Sequence, residues 1–321
     1  LAHNIGLRKA IQKGFFIKSE VVFEKLTQIS KIIFDKTGTL TSTQLRLVKT
    51  FPADISDEHK SIILGMEKSS MHPIALSLKK SWMAYDIKNI PQVHEITGEG
   101  IEAHYEGQHY QMMKSKLDQN DHVYQNTIQV DFSVDDKRTA YLFFEEELQP
   151  EAKSVIKEFY NRKFDVMMLS GDKRPRAIEV AKQLGIRPTF VFSEQSAESK
   201  KMMIQQQNPC LFVGDGLNDL LGLHEAHVSY AIKGAFESTL QVSDVYAPQK
   251  DLNSILEIVD LSQEIHKTTQ VNLLFAVFYN SVGGIMALSG LINPLMAAVL
   301  MPASSFLITA HTIFRLNRRI K

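Results

Sequence analysis

Among its 321 residues the chain has one cysteine, Cys210, and one tryptophan, and its 36 basic residues balance its 36 acidic ones. A lone cysteine excludes an internal disulfide, and its apolar neighbours read as a buried strand. Balanced charge offers no basic surface, so no nucleic acid partner is expected. The N-terminus lacks the pattern of a signal peptide. Leu1 is not an initiator methionine, and Leu1–Lys13 reads as an amphipathic helix emerging from earlier chain, so a fragment is expected.

Charge is also missing near the C-terminus. No charged residue occurs from Val271 to Ile292, and from Leu295 to Phe314 the only ionisable group is His311. Each stretch has about 20 residues, enough at roughly 1.5 Å per residue to cross a hydrocarbon core. Only Asn293-Pro294 separates them, which predicts a tight membrane hairpin. Arg315, Arg318, Arg319 and Lys321 follow, and the positive-inside rule puts this tail in the cytoplasm. A hairpin returns to its starting side, so residues 1–265 are expected there too.

The rest alternates strands with helices. Lys31–Phe34 leads to Asp35, Val166–Leu169 to Ser170-Gly171-Asp172, and Leu211–Val213 to Gly214-Asp215. Glu151–Arg162 puts Ala152, Val155, Ile156 and Phe159 on one helical face, and Pro175–Leu184 and Ala197–Gln206 are further helices. This pattern predicts a mostly parallel sheet with its acidic loops gathered beyond the strands' carboxyl ends. Residues 46–145 look different. Alternation over Ile101–Tyr110, Thr127–Phe132 and Thr139–Phe144 predicts antiparallel strands, hence an inserted domain.

Asp35-Lys36-Thr37-Gly38-Thr39-Leu40-Thr41 carries the most chemistry. A strand-end carboxylate can attack a γ-phosphoryl group to give an acyl phosphate, and the threonine hydroxyls and the glycine backbone suit phosphate oxygens. Gly214-Asp215-Gly216-Leu217-Asn218-Asp219 supplies two carboxylates four residues apart. They suit a Mg²⁺ ion that relieves repulsion between a carboxylate and a triphosphate.

The heptapeptide matches the phosphorylation signature of P-type ATPases, and the chain resembles the heavy-metal-transporting branch along nearly its whole length. The resemblance implies an α/β fold: a haloacid-dehalogenase-like parallel sheet (residues 1–45 and 146–265), an inserted α+β nucleotide-binding domain (46–145) and a C-terminal transmembrane helix pair with a basic tail (266–321). It implies Asp35, Lys36, Thr37, Lys200 and Asp215 as catalytic residues, and Mg²⁺ at Asp35, Thr37, Asp215 and Asp219. Lys200 matches the lysine that offsets charge on the transferring phosphoryl group. Nucleotide contacts are implied at Glu67, His72, Gly98, Gly100, Ser170, Gly171, Asp172 and Asn218. Here Met71 replaces a glutamate of the Glu-x-x-Ser-Glu-His-Pro motif, Met113-Lys114 stands near the expected Gly-Asn pair, and Glu146 and Gln149 replace the more usual Asp and Arg.

Wider haloacid-dehalogenase-like phosphatases commonly have a second aspartate two residues after the nucleophile. Threonine at position 37 cannot act as that acid/base, which points to a long-lived phosphoenzyme. In the hairpin, Tyr279-Asn280 and Met301-x-x-Ser304-Ser305 resemble copper(I) signatures, so Tyr279, Asn280, Met301 and Ser305 are the expected ligands of a transported Cu⁺ or another soft ion. The resemblance implies ATP and Mg²⁺ as cofactors and a cell (inner) membrane location. Its partners would be membrane lipid, a copper chaperone and a missing N-terminal half bearing the actuator domain and earlier helices. Rival readings are a Zn/Cd-type transporter, a non-transporting nucleotide- or metal-binding fragment, and a membrane-tethered phosphatase.

Overall fold

The computed structural model describes residues 1–115, 127–215, 219–232, 236–249 and 251–319. The chain divides into two compact units, Leu1–Asp35 with Glu151–Leu169 and Gln195–Lys321, and Lys36–Pro150 with Ser170–Glu194.

The first unit is built on a sheet whose strands run in the order Phe16–Ile17, Val245–Tyr246, Val228–Ala231, Cys210–Gly214, Lys31–Asp35 and Asp165–Leu169. All neighbours are parallel except the Phe16–Ile17 edge, which is antiparallel. Ile32, Ile33, Phe34 and Cys210–Val213 are completely buried. A parallel strand covered on both faces needs such a continuous apolar run. Part of the cover is the Ala152–Asn161 helix, which buries Ala152, Val155, Ile156 and Phe159. Arg162, capping that helix, reaches Glu158 at 2.8 Å and Asp260 at 2.6 Å. Register pairs Phe34 with Val213 on one side and Asp35 with Leu169 on the other.

Asp260 lies on a helix that differs from the sequence expectation. The first apolar stretch is the second half of one 36-residue helix, Asn253–Leu288. Its first half buries Ile255, Ile258, Val259, Leu261 and Ile265 within the unit, whereas Leu274, Phe278 and Leu288 further along are 72%, 67% and 92% exposed. Such continuous apolar exposure suits a lipid environment. The helix stops short of Ile292 because Gly290 turns the chain at φ 72°. Asn293 Oδ1 then accepts from the Met296 N–H at 2.8 Å, capping the second apolar helix, Pro294–Arg319. Hydropathy and length mark both helices as able to cross a membrane.

The second unit holds a six-stranded antiparallel sheet ordered Thr41–Phe51, Lys137–Leu148, Ile128–Val134, Gln108–Lys114, Gly100–Tyr105 and Val93–Ile96. Helices Asp57–Met66 and Pro73–Ser81 belong to the same unit, whose core gathers Ile62, Ile63, Leu78, Phe132, Leu142 and Phe144. These are a mostly parallel sheet, an inserted antiparallel sheet and two long apolar C-terminal helices, the elements that the resemblance implies.

Candidate active site

Asp35 ends its strand beside the Cys210–Gly214 strand, and the parallel register brings Asp35 and Gly214 to the same sheet edge. Asp35 is 3% exposed and Asp219 is 2% exposed. A Cβ on Gly214 would sit 2.7 Å from Asp219 Oδ2, so the absence of a side chain there makes room for the second carboxylate. Lys200 enters from the Ala197–Gln207 helix. Ser196 caps that helix by accepting from the Ser199 N–H at 3.2 Å, which fixes Lys200 in its first turn. Lys200 Nζ donates to Asp35 Oδ1 at 2.5 Å and to Asp219 Oδ1 at 3.0 Å.

One cation thus faces two buried acids. Burial, then the Asp219 charge, push Asp35 up to about 7 against the opposing pull of Lys200. Asp219 is raised too, by burial first and then by Asp215, again with Lys200 opposing. For Lys200 burial works against the charge, but Asp35 and Asp219 outweigh it and hold the ammonium above its ordinary value.

Asp215 Oδ1 and Asp219 Oδ2 are buried without a hydrogen-bond partner among the described residues. Unpaired carboxylate oxygens beside a buried acid are costly unless a cation takes them up, so this all-oxygen set fits Mg²⁺. Among the described residues no three His, Cys, Asp or Glu side chains form a ready metal shell. Backbone and water oxygens would complete the coordination, as magnesium commonly requires. Asn218 lies outside the described residues.

Lys36 and Thr37 open the second unit, where Thr37 is extended (φ −79°, ψ 126°). Lys36 is 1% exposed, yet it is paired with Glu146 and, at 2.8 Å, with Asp172. Thr41 Oγ1 also donates to Glu146 at 2.8 Å. Asp172 is therefore the partner of Lys36, and its own N–H donates to Ser170 Oγ at 3.0 Å, which shapes the Ser170-Gly171-Asp172 loop. In the sequence Glu146 stands out only as a departure from the family pattern. Its place in strand Lys137–Leu148, just after the buried run Leu142–Phe144, was the available signal.

A cavity of about 670 Å³ within the second unit is lined by Glu67, Ser70, His72, Gly98, Gly100 and Met113, among others. His72 caps the Pro73–Ser81 helix, its Nδ1 accepting from Ile74 at 3.3 Å. Glu67 is 6% exposed, and burial raises its pKa while a hydrogen bond from Ser70 opposes the shift. A Cβ on Gly100 would lie 2.0 Å from the Met112 carbonyl oxygen, so only glycine allows these backbones to approach.

In the apolar pair, Tyr279 O–H donates to the Leu300 carbonyl at 2.8 Å, so this hydroxyl joins the two helices. Asn280 and Ser305 are exposed, and the Met301 side chain lies outside the described ones.

Residues 29–227 match the haloacid dehalogenase-like hydrolase family. The chain belongs to that family. Among curated relatives, a copper-exporting P-type ATPase B of Archaeoglobus fulgidus is 26% identical over 328 residues, covering 94% of this chain and 47% of the relative. A zinc-transporting PIB-type ATPase in its E2.Pi state superposes with TM-score 0.87 at 21% identity, covering 98% of this chain and 54% of that one. The catalytic domain of the CPx-ATPase CopB-B gives TM-score 0.66 at 26% identity, covering 78% and 98%. The chain thus spans about half the length of such full relatives. Within the haloacid dehalogenase-like hydrolases it corresponds to the C-terminal portion of a PIB-type heavy-metal P-type ATPase. Copper and zinc branches are not separated at this identity.

Proposed function

We propose that this chain is the catalytic and C-terminal membrane portion of a pump that couples ATP hydrolysis to export of a soft metal ion, with Cu⁺ as cargo. The observation that carries the reading is the buried Asp35, paired with Lys200 beside the unpartnered oxygens of Asp215 and Asp219. In this reading one Asp35 oxygen attacks the γ-phosphorus of ATP. A P–O bond to the acyl oxygen forms, the bond to the β–γ bridging oxygen breaks, and ADP leaves with that electron pair. Lys200 balances charge developing on the transferred group. Asp35, the Thr37 carbonyl, Asp215 and Asp219 would hold Mg²⁺, which when bound neutralises phosphate charge. Thr37 offers no carboxylate to activate water, so the aspartyl-phosphate persists long enough to shift the membrane helices.

The domains follow this division of labour. Residues 1–45 and 146–265 present Asp35, 46–145 bind the nucleotide in the Glu67–His72–Gly100 cavity, and 266–321 form the last membrane hairpin with its tail in the cytoplasm. Tyr279, Asn280, Met301 and Ser305 offer oxygen and thioether donors to the cargo. The soft thioether of Met301 favours Cu⁺ over Zn²⁺. Lipid, the remaining half of such a pump and a copper chaperone are the partners.

Incubation with γ-labelled ATP tests the reading. Acid-stable, hydroxylamine-sensitive label is expected, lost in Asp35→Asn. Absence of label from the chain, alone and with a complementing N-terminal half, rejects it. Labelling enhanced by Zn²⁺ but not Cu⁺ in the complemented protein moves the cargo to zinc.

A further inference from the structure

A polyphosphate meets an awkward balance of charge at the cavity of the second unit. The volume of about 670 Å³ suits a nucleotide-sized ligand. Met66, Met112 and Val130 line it and are buried, so its floor is apolar. Such a floor takes the flat base and leaves the phosphates toward the lip. On the strand side that lip consists of Glu95, Gly98, Glu99 and Lys114, all of them exposed.

The described lining holds three glutamates, Glu67, Glu95 and Glu99, against one lysine and no arginine. Two of those acids stand at the lip, where the polyphosphate emerges. Like charges brought together in a partly desolvated cleft repel, so a nucleotide there needs a cation from the protein. Lys79, whose charge is felt at Glu67, donates to the Ser70 carbonyl at 2.9 Å and does not line the cavity. His72 is committed to capping its helix. That leaves Lys114. Its Nζ makes no hydrogen bond or ion pair with any described residue, Glu95 and Glu99 included.

The backbone holds the root of this lysine in place. Lys114 ends strand Gln108–Lys114, and its N–H donates to the Glu99 carbonyl at 2.7 Å. The following N–H, of Ser115, donates to the Gln129 carbonyl at 3.1 Å. Lys114 is thus anchored against the Thr97-Gly98-Glu99 turn, and its side chain keeps the reach to meet a ligand. At Gly98 (φ 78°) a Cβ would meet nothing within 4 Å, so open space lies beside this stretch of main chain. We propose that Lys114 binds the polyphosphate of the nucleotide at this lip, a charge contact that selects ATP over its uncharged nucleoside. This contact rests on the reading of the cavity as the nucleotide site and adds to it the residue that recognises phosphate.

The test is titration of the full chain in detergent with ATP and, separately, with adenosine. Losing a hydrogen bond to a charged group should weaken ATP binding roughly tenfold or more in Lys114→Gln, and further in Lys114→Glu. Lys114→Arg keeps the charge and should stay within about threefold of wild type. Adenosine affinity should be unchanged in all three variants. Added salt should weaken ATP binding more steeply in wild type than in Lys114→Gln. ATP binding unchanged in both Lys114→Gln and Lys114→Glu overturns the contact, and if Gly100→Val still abolishes that binding, the nucleotide reading of the cavity stands. ATP and adenosine weakened in parallel would make Lys114 a support of the cavity wall, which overturns the contact as well. Neither ligand bound by wild type rejects the contact together with the reading it rests on. Thermal unfolding checks each variant, and should Lys114→Glu misfold, Lys114→Gln decides.

Discussion

The charge balance around Asp35 predicts that the proposed nucleophile costs stability. Asp35 is 3% exposed, and its pKa stands at about 7 against an ordinary 3.8. A carboxylic acid raised on folding contributes stability that is fully present below the unfolded value and is lost as pH climbs through the folded one. The rise from 3.8 to about 7 corresponds to about 4 kcal/mol, all of it lost above about pH 8. Asp35→Asn keeps shape and neutrality at every pH. It gives up a charge-assisted bond to Lys200, but the shift already includes that attraction, so the variant should exceed wild type by about 3 kcal/mol at pH 8. The gap should close toward pH 4. For a domain of this size that is a rise in Tm of roughly 6–12 °C. The assay is thermal unfolding in EDTA from pH 4 to 8.5, repeated with Mg²⁺, which should raise wild type at pH 8 more than the variant. A variant equal to or less stable than wild type at pH 8, with a parallel pH profile, would refute the account.

Two further outcomes follow from the second unit. Lys36→Met leaves Glu146 and Asp172 facing each other without their cation, and should cost about 3 kcal/mol in chemical denaturation. Adding Glu146→Gln should recover part of that loss, and a double variant no better than the single one would contradict the pairing. Gly100→Val places a Cβ where the Met112 carbonyl already lies, so fluorescent-nucleotide affinity should fall at least tenfold. Unchanged affinity would dissociate this cavity from the nucleotide.

Local pattern carried a good deal of this molecule. The apolar run before Asp35 and the one-faced helix over Ala152–Phe159 are visible because burial on both faces, or on one, leaves a direct mark on residue order. The start of the long helix was not visible. Over Asn253–Gln270 it buries one side and exposes charge on the other, and only from Val271 does it become apolar all round. A hydropathy reading therefore finds the change of surroundings and mistakes it for the start of the element. Lys36 was legible as part of a motif, but its partners stand 110 and 136 positions away, set by tertiary pairing rather than by local periodicity.

The same limit explains why His311 read only as an isolated ionisable group. Its partner is Asn272, 39 positions earlier, which also donates to Thr312, and only the packed helices bring the three together. The site at Asp35 depends in the same way on partners distant in sequence. At the sheet edge, two buried acids share one lysine and leave oxygens unsatisfied, an electrostatic tension that a cation and a phosphoryl group can relieve.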